Sequence, residues 1–424
     1  MLDLKRIRED PDDVRAALAR RGEGAVKELD EVIRLDADRR ALLPELEGLR
    51  AEQNEANTRI RSASDPAERE REIEAMRAVA TRAKELEQRL AGVEEELQAS
   101  LAPLPNLPDP TAAPGPEDEL VRRVGAPREL GFPARDHLEL AGPLIDMERA
   151  ANLSGARFAY LRGALVMLEL ALVRWALELL AGHGFEPVIP PVLVRERALF
   201  GTGFLPDTEQ QIYTLPEDEL YLVGTSEVAL ASLHDGEILD AGELPLRYAG
   251  FSPCFRREAG AAGKDTRGIF RVHQFDKVEM FSFVDPADSP AEHERILAIE
   301  EEVLQALELP YRVVNIAVGE LGNSAAKKYD CEVWLPSQER YRELTSCSNT
   351  TDYQARRLNI RARRERAGGG RATETVHTLN GTAVAVGRTI LALLENGQQQ
   401  DGSVELPAVL EPFGAPARID AAAG

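Results

Sequence analysis

Phe255-Arg256-Arg257-Glu258, then a Gly-rich turn, then Phe270-Arg271-Val272-His273-Gln274-Phe275-Asp276-Lys277-Val278-Glu279: this stretch reads as two strands joined by a flexible connection. Successive side chains of a strand point to opposite faces. Arg256 and Glu258 are therefore expected to share a face, as are Phe275, Lys277 and Glu279. One small surface then carries a guanidinium fork, two carboxylates and an aromatic plate. Arg pairs with phosphate oxygens, a carboxylate accepts from an amino group, and Phe stacks on a base. Those parts suit a nucleotide held beside an amine.

Around this stretch the strand-like pieces are Glu186–Ile189, Leu220–Val223, Leu246–Phe255, Phe270–Phe283, Tyr311–Val318 and Tyr329–Leu335. Helices are expected from Gly155 to about Ala181, at about Ala291–Leu307, and from Gly387 to about Glu395. Adjacent strands with short turns favour an antiparallel sheet over βαβ winding. Upstream, six prolines between Pro103 and Pro116 mark a stiff linker.

The segment before the prolines is helical in pattern. Leu35, Leu42, Leu49 and Ala56 repeat at seven, with Val32, Leu46 and Ile60 on the partner position and Arg39 and Gln53 as polar breaks. After Ser62-Ala63-Ser64-Asp65-Pro66 a second register follows: Met76, Ala83, Leu90 and Leu97, interleaved with Val79, Leu86 and Val93. Two such stripes joined by a polar loop describe an antiparallel helical hairpin, each arm reaching roughly 50 Å. Pro44 is expected to kink or break the first helix. The expected class is thus α+β: a hairpin arm at 1–102, a linker at 103–124, and a domain on an antiparallel sheet flanked by helices at 125–424.

Net charge is −22 over 424 residues. That argues against non-specific nucleic-acid binding by the chain as a whole, so any polyanion is met by local patches. From Arg50 to Arg82 basic and acidic residues balance at seven each, whereas the base of the arm carries six against twelve. A tip approaching phosphate and a solvated mixed-charge face both fit. Arg356, Arg357, Arg361, Arg363, Arg364, Arg366 and Arg371 form the clearest basic run, either guiding a polyanion or solubilising a mobile loop. The three cysteines are widely spaced, and with six scattered histidines they give no zinc pattern. The first ten residues lack an apolar run, and Glu169, Arg174 and Glu178 interrupt Leu165–Leu180. Neither a signal peptide nor a membrane span is read, and a cytoplasmic location is expected.

Three further constellations stand out. Gly224-Thr225-Ser226-Glu227 follows an apolar strand and reads either as a polar substrate cradle or as a helix N-cap. Glu343-Leu344-Thr345-Ser346 offers two hard oxygens, for Mg²⁺ shared with phosphates or for an ordinary edge strand. Asn380 to Arg388 is a small-residue strand entering a helix, with an Arg at its start.

Taken in order, these motifs resemble the bacterial seryl-tRNA synthetases, class II aminoacyl-tRNA synthetases, over nearly the whole chain. Gly182–Pro191 resembles the end of motif 1, Phe255–Glu279 motif 2, and Asn380–Asn396 motif 3. Gly155-Ala156-Arg157-Phe158 and Glu343–Asn349 match seryl-enzyme habits. The resemblance implies that Arg256 binds the ATP α-phosphate, Glu258 the adenine amino group, and Arg388 the γ-phosphate, with Phe275 under adenine. Glu343 and Ser346 would meet Mg²⁺. Arg257, Val272, Leu344 and Thr345 would join the ATP site. Thr225, Ser226, Glu227, Glu279 and Thr382 would form the serine pocket. The resemblance further implies a homodimer, an arm that grips tRNA(Ser), and tRNA(Sec) as a second acceptor. Motif 3 often carries more glycine; here Ala383 and Ala385 stand in its middle, and both methyls are expected to face away from the nucleotide. Rival readings are an enzyme charging a carrier protein, an inactive RNA-binding paralogue and a coiled-coil scaffold. The arm opposes the first, the retained Arg256, Glu258, Glu343 and Arg388 the second, and the residues after Gly155 the third.

Overall fold

The structure, a computed structural model, describes residues 1–206, 211–259, 265, 267–365 and 370–421. The chain divides into two units, Leu2–Pro105 and a second that begins at Asn106. In the first unit, two short helices precede α1 (Glu23–Ser62) and α2 (Pro66–Leu101). Asp65 caps α2, accepting from Ala67 N at 3.1 Å, with Pro66 in its first turn. The heptad stripes meet: Leu42 and Leu46 pack with Ala83, Leu86 and Leu90. Arg39–Glu94, Arg50–Glu87 and Arg82–Glu45 pair across the hairpin at 2.8, 2.8 and 2.7 Å. Exposed pairs of this kind contribute little stability but fix register. Of the expected kink or break at Pro44, the break does not occur: the helix runs through it. Pro44 is exposed, so the carbonyl it leaves unpaired faces water.

The second unit is built on an eight-stranded sheet: β1 (Glu119–Val124), β2 (Glu186–Val188), β3 (Leu246–Phe255), β4 (Gln274–Val284), β5 (Tyr311–Asn315), β6 (Lys327–Leu335), β7 (Arg340–Thr351) and β8 (His377–Ala385). Their order across the sheet is β1-β5-β6-β7-β8-β4-β3-β2. Every pairing is antiparallel except β2 with β3. The α+β expectation holds. The 103–124 stretch is not free linker, because Asn106 donates to the Ser324 and Thr350 carbonyls and β1 forms the sheet edge.

Helices α3 (Ala164–Gly182), α4 (Ser289–Ala306) and α5 (Val386–Gly397) supply side chains to the main core, with Val278 and Met280 of β4. The alternate residues Phe281 and Phe283 enter a smaller core with Leu230 and Leu358. Each such fully buried side chain is worth about 1.5–3 kcal/mol. The helix expected from Gly155 starts only at Ala164, because Gly155 and Gly163 adopt φ of 93° and 56° and a short strand intervenes. The strand expected from Phe270 starts at Gln274, since residues 269–273 are held by other partners.

Gly381 on β8 lies under α4. A Cβ there would overlap Ile296 Cγ2. Gly381→Ala is expected to cost about 1–3 kcal/mol through overpacking, read as a lower midpoint in thermal unfolding. An unchanged midpoint would mean that α4 and β8 are not packed in this way.

Candidate active site

On β4, the residues alternating with Val278 and Met280 line a cavity of about 600 Å³: Phe275, Lys277 and Glu279. The register sets Glu279 opposite Thr382 of β8, with an irregularity that leaves Ala383 unmatched. A second irregularity lies in β7. Cys331 faces Thr345, yet Glu332 faces Glu343, so Leu344 bulges. Strict alternation would send Glu343 and Ser346 to opposite faces. The bulge brings both to the cavity wall.

At one end sit acids and their partners. Thr225 Oγ1 accepts from Glu227 N at 3.2 Å and from Lys277 Nζ at 2.8 Å, whereas Ser226, at the N-cap of the short helix that follows, makes no side-chain cap bond. Lys277 also pairs with Glu279, to which Thr382 Oγ1 donates at 3.4 Å. Glu227 Oε1 accepts from Gln354 at 2.7 Å and Asn380 at 3.0 Å. Burial, then the neighbouring Glu279, pushes the Glu227 carboxyl up to about 7. Burial also raises Glu279, against the opposing pull of Lys277 and Arg256. Two buried acids share one lysine here. An incoming ammonium would complete the charge balance.

At the other end the wall is basic and aromatic. Arg256 Nε donates to the Gly224 carbonyl at 3.2 Å, and its guanidinium lies 5.2 Å from the Phe275 ring. Arg388 donates to the carbonyls of Phe270 and Glu343 at 3.3 and 3.1 Å and pairs with the Glu343 carboxylate at 3.5 Å. Burial raises the Glu343 carboxyl, but Arg388, Lys328 and Arg256 outweigh it and hold it below its usual range. Burial likewise pushes Asp330 beside Lys328 up to about 7. Glu343 and Ser346 are hard oxygen donors, and Glu343 is kept ionised, so they fit a Mg²⁺ ion whose other ligands are phosphate and water. Among the described residues no cluster of three or more His, Cys, Asp or Glu forms a separate metal cage.

Residues 1–108 match the model of the seryl-tRNA synthetase N-terminal domain, and residues 212–397 that of the class II tRNA synthetase core domain (G, H, P, S and T). The serine–tRNA ligase of Acidothermus cellulolyticus is 50% identical, over 97% of this chain and 98% of its own length. The chain belongs to the seryl-tRNA synthetases. The Pyrococcus horikoshii seryl-tRNA synthetase complexed with ATP superposes at a TM-score of 0.93, with 42% identity and full coverage of both chains. The cytoplasmic serine–tRNA ligase of Naegleria fowleri in complex with AMP gives 0.88 at 33% identity, covering 100% of this chain and 99% of its own.

Among the residues that the resemblance to seryl-tRNA synthetases singles out, Arg256, Glu258, Val272, Phe275 and Arg388 line the cavity. So do Glu343, Leu344 and Ser346, and at the acid end Thr225, Glu227, Glu279 and Thr382. Three do not. Arg257 is exposed and outside the lining. Ser226 is buried away from the cavity, toward Gly250. Thr345 points to the opposite side of β7 and donates to buried Glu300 at 3.0 Å. Arg256 and Glu258 do not share a strand face, because β3 ends at Phe255 and Glu258 adopts φ 52°. Glu258 instead meets Arg271 at 2.6 Å. Ala383 is packed in the core, as expected of its methyl, but Ala385 lines the cavity. Lys277, Asn380 and Lys328 line it too and were not singled out; alternation along β4 already pointed to Lys277. Of the arginine run, Arg366 lies outside the described residues. Arg356 pairs with Asp352, Arg357 is buried, and Arg364 pairs with Asp285.

Lys277→Met would strand Glu279 in a buried site. It is expected to cost about 3–5 kcal/mol in urea unfolding, and adding Glu279→Gln should recover part of that loss. Equal stability of Lys277→Met and the parent would show that the pair is not buried as described.

Proposed function

We propose that this chain activates L-serine with ATP and transfers the seryl group to tRNA(Ser), with tRNA(Sec) as a second acceptor. The observation that carries the reading is one cavity joining the Glu279–Thr382 pair to Arg256 and Arg388. The serine carboxylate attacks the α-phosphorus of ATP in line. Pyrophosphate leaves, and seryl-adenylate remains. A terminal ribose hydroxyl of the tRNA then attacks the seryl carbonyl, and AMP leaves.

No side-chain nucleophile is needed; positioning and charge neutralisation supply the catalysis. Glu279 and Thr382 read the serine hydroxyl, and an amino acid lacking it would leave them unpaired. Thr225 and Glu227 receive the α-ammonium. Arg256 neutralises the α-phosphate and Arg388 the γ-phosphate. Phe275 stacks under adenine, and Glu258 turns from Arg271 to the adenine amino group. Val272 and Leu344 supply apolar wall. Glu343 and Ser346 would hold Mg²⁺, which when bound offsets phosphate charge.

The arm grips tRNA across a homodimer, for which the exposed Val166, Met167, Leu170 and Ile189 supply apolar surface. The location is cytoplasmic; no helix among the described residues is long and apolar enough to cross a membrane.

Purified protein with Mg²⁺ is expected to exchange pyrophosphate into ATP only when serine is present. Deleting residues 30–98 should leave that exchange largely intact and abolish tRNA charging. Exchange with another amino acid, or none, would end the reading. The Glu227 carboxyl at about 7 adds a pH signature. Below that pH it protonates and loses its attraction for the ammonium, so kcat/KM for serine should fall as pH drops from 8 to 6. Glu227→Gln should remove this inflection; its persistence would assign the titration elsewhere.

A further inference from the structure

His137 lies outside the cavity lining, yet it ties together two segments that form the phosphate end. Its ring is buried, at the start of a short helix whose N-terminus Asp136 caps. Ile269 N–H donates to Nε2 at 3.2 Å. A ring nitrogen that accepts carries no hydrogen, so the proton of the neutral imidazole sits on Nδ1. Nδ1 in turn lies 3.3 Å from Glu395 Oε1. Glu395 is itself fully buried and accepts from Ser337 N and Oγ at 3.1 and 2.7 Å. Gly268 makes this approach possible: it has φ 79°, and a Cβ there would overlap the imidazole.

One end of this relay lines the cavity, and the other lies on the helix that carries a lining arginine. Ile269 is followed directly by Phe270 and Arg271, and all three line the cavity. Phe270 accepts from Arg388 Nε through its carbonyl, and its ring lies 4.6 Å from the Arg388 guanidinium and 3.9 Å from that of Arg342. Arg271 holds Glu258. Glu395 is on α5, the helix that carries Arg388 near its start. The His137 ring therefore clamps the 268–271 segment to α5. The acid end of the cavity is held independently, by β4, β8 and Gln354.

We infer that His137 is a positioning residue for the nucleotide: its Nδ1–H tautomer pins Ile269 to Glu395 and so sets Phe270, Arg271 and Arg388 for ATP. This deepens the proposed function and rests on it. Two variants of the full-length protein separate the hydrogen bond from packing. His137→Asn keeps a donor near Glu395 but has no acceptor that reaches Ile269 N–H. His137→Gln sets its carbonyl oxygen where Nε2 was and its amide toward Glu395. In serine-dependent exchange, His137→Asn should raise KM for ATP about tenfold, the worth of one hydrogen bond, with KM for serine within about twofold. His137→Gln should return KM for ATP to near the parent value. Titration calorimetry with ATP should follow the same order. A merely structural histidine would lower the melting temperature and leave the KM values alone. Equal rises in both KM values, or no rise for ATP, overturn the inference. Absence of exchange by the parent would instead overturn the functional reading, and the ATP titrations would still decide the role of His137.

Discussion

The antiparallel register of β4 on β8 is the constraint from which the rest follows. It sets Glu279 against Thr382 and packs Val278 and Met280 into the main core. A slip of one residue would exchange the two faces of β4. Lys277 and Glu279 would enter the apolar core, and Met280 would face the cavity. Burial on the core side therefore holds the polar side in place, and stability and chemistry are set by the same hydrogen-bonded ladder. The unmatched Ala383 adjusts that ladder where Thr382 must turn inward.

The second governing feature is local charge balance in a strongly acidic chain. The net −22 is overridden inside the cavity by Arg256, Arg388, Lys328 and Lys277. Burial raises the carboxyls on both walls, but the fixed charges around them tip the balance differently at each end. Glu227 and Glu279 stay raised at the acid end, while Arg388, Lys328 and Arg256 keep Glu343 ionised at the basic end. Low polarity strengthens every such interaction. That gives the cavity two ends of different character, one acidic and one basic.

Much of this was legible in the residues. The heptads at 32–60 and 76–97 have a period that only a helical pair satisfies, and Leu42, Leu46, Leu86 and Leu90 are buried in the hairpin. The strand Leu246–Phe255 has the bounds its pattern suggested. What stayed hidden depends on backbone departures that periodicity does not encode. The bulge at Leu344 brings Glu343 and Ser346 together against strict alternation. Positive φ at Gly155, Gly163 and Glu258 ends or redirects elements that the apolar pattern would continue. Thr345 and Ser226 stand inside motif-like runs, but their neighbours' orientation turns them inward, to Glu300 and toward Gly250. His137 is 258 residues from Glu395 and 132 from Ile269, and no local pattern links them.

On the proposed function, one cavity holds serine and the triphosphate side by side. A crystal structure with L-serine and a non-hydrolysable ATP analogue tests it directly. The hydroxymethyl group is expected within hydrogen-bond reach of Glu279 and Thr382, with the phosphate chain between the guanidiniums of Arg256 and Arg388. A phosphate chain bound elsewhere, or a serine side chain turned away from Glu279, would contradict it.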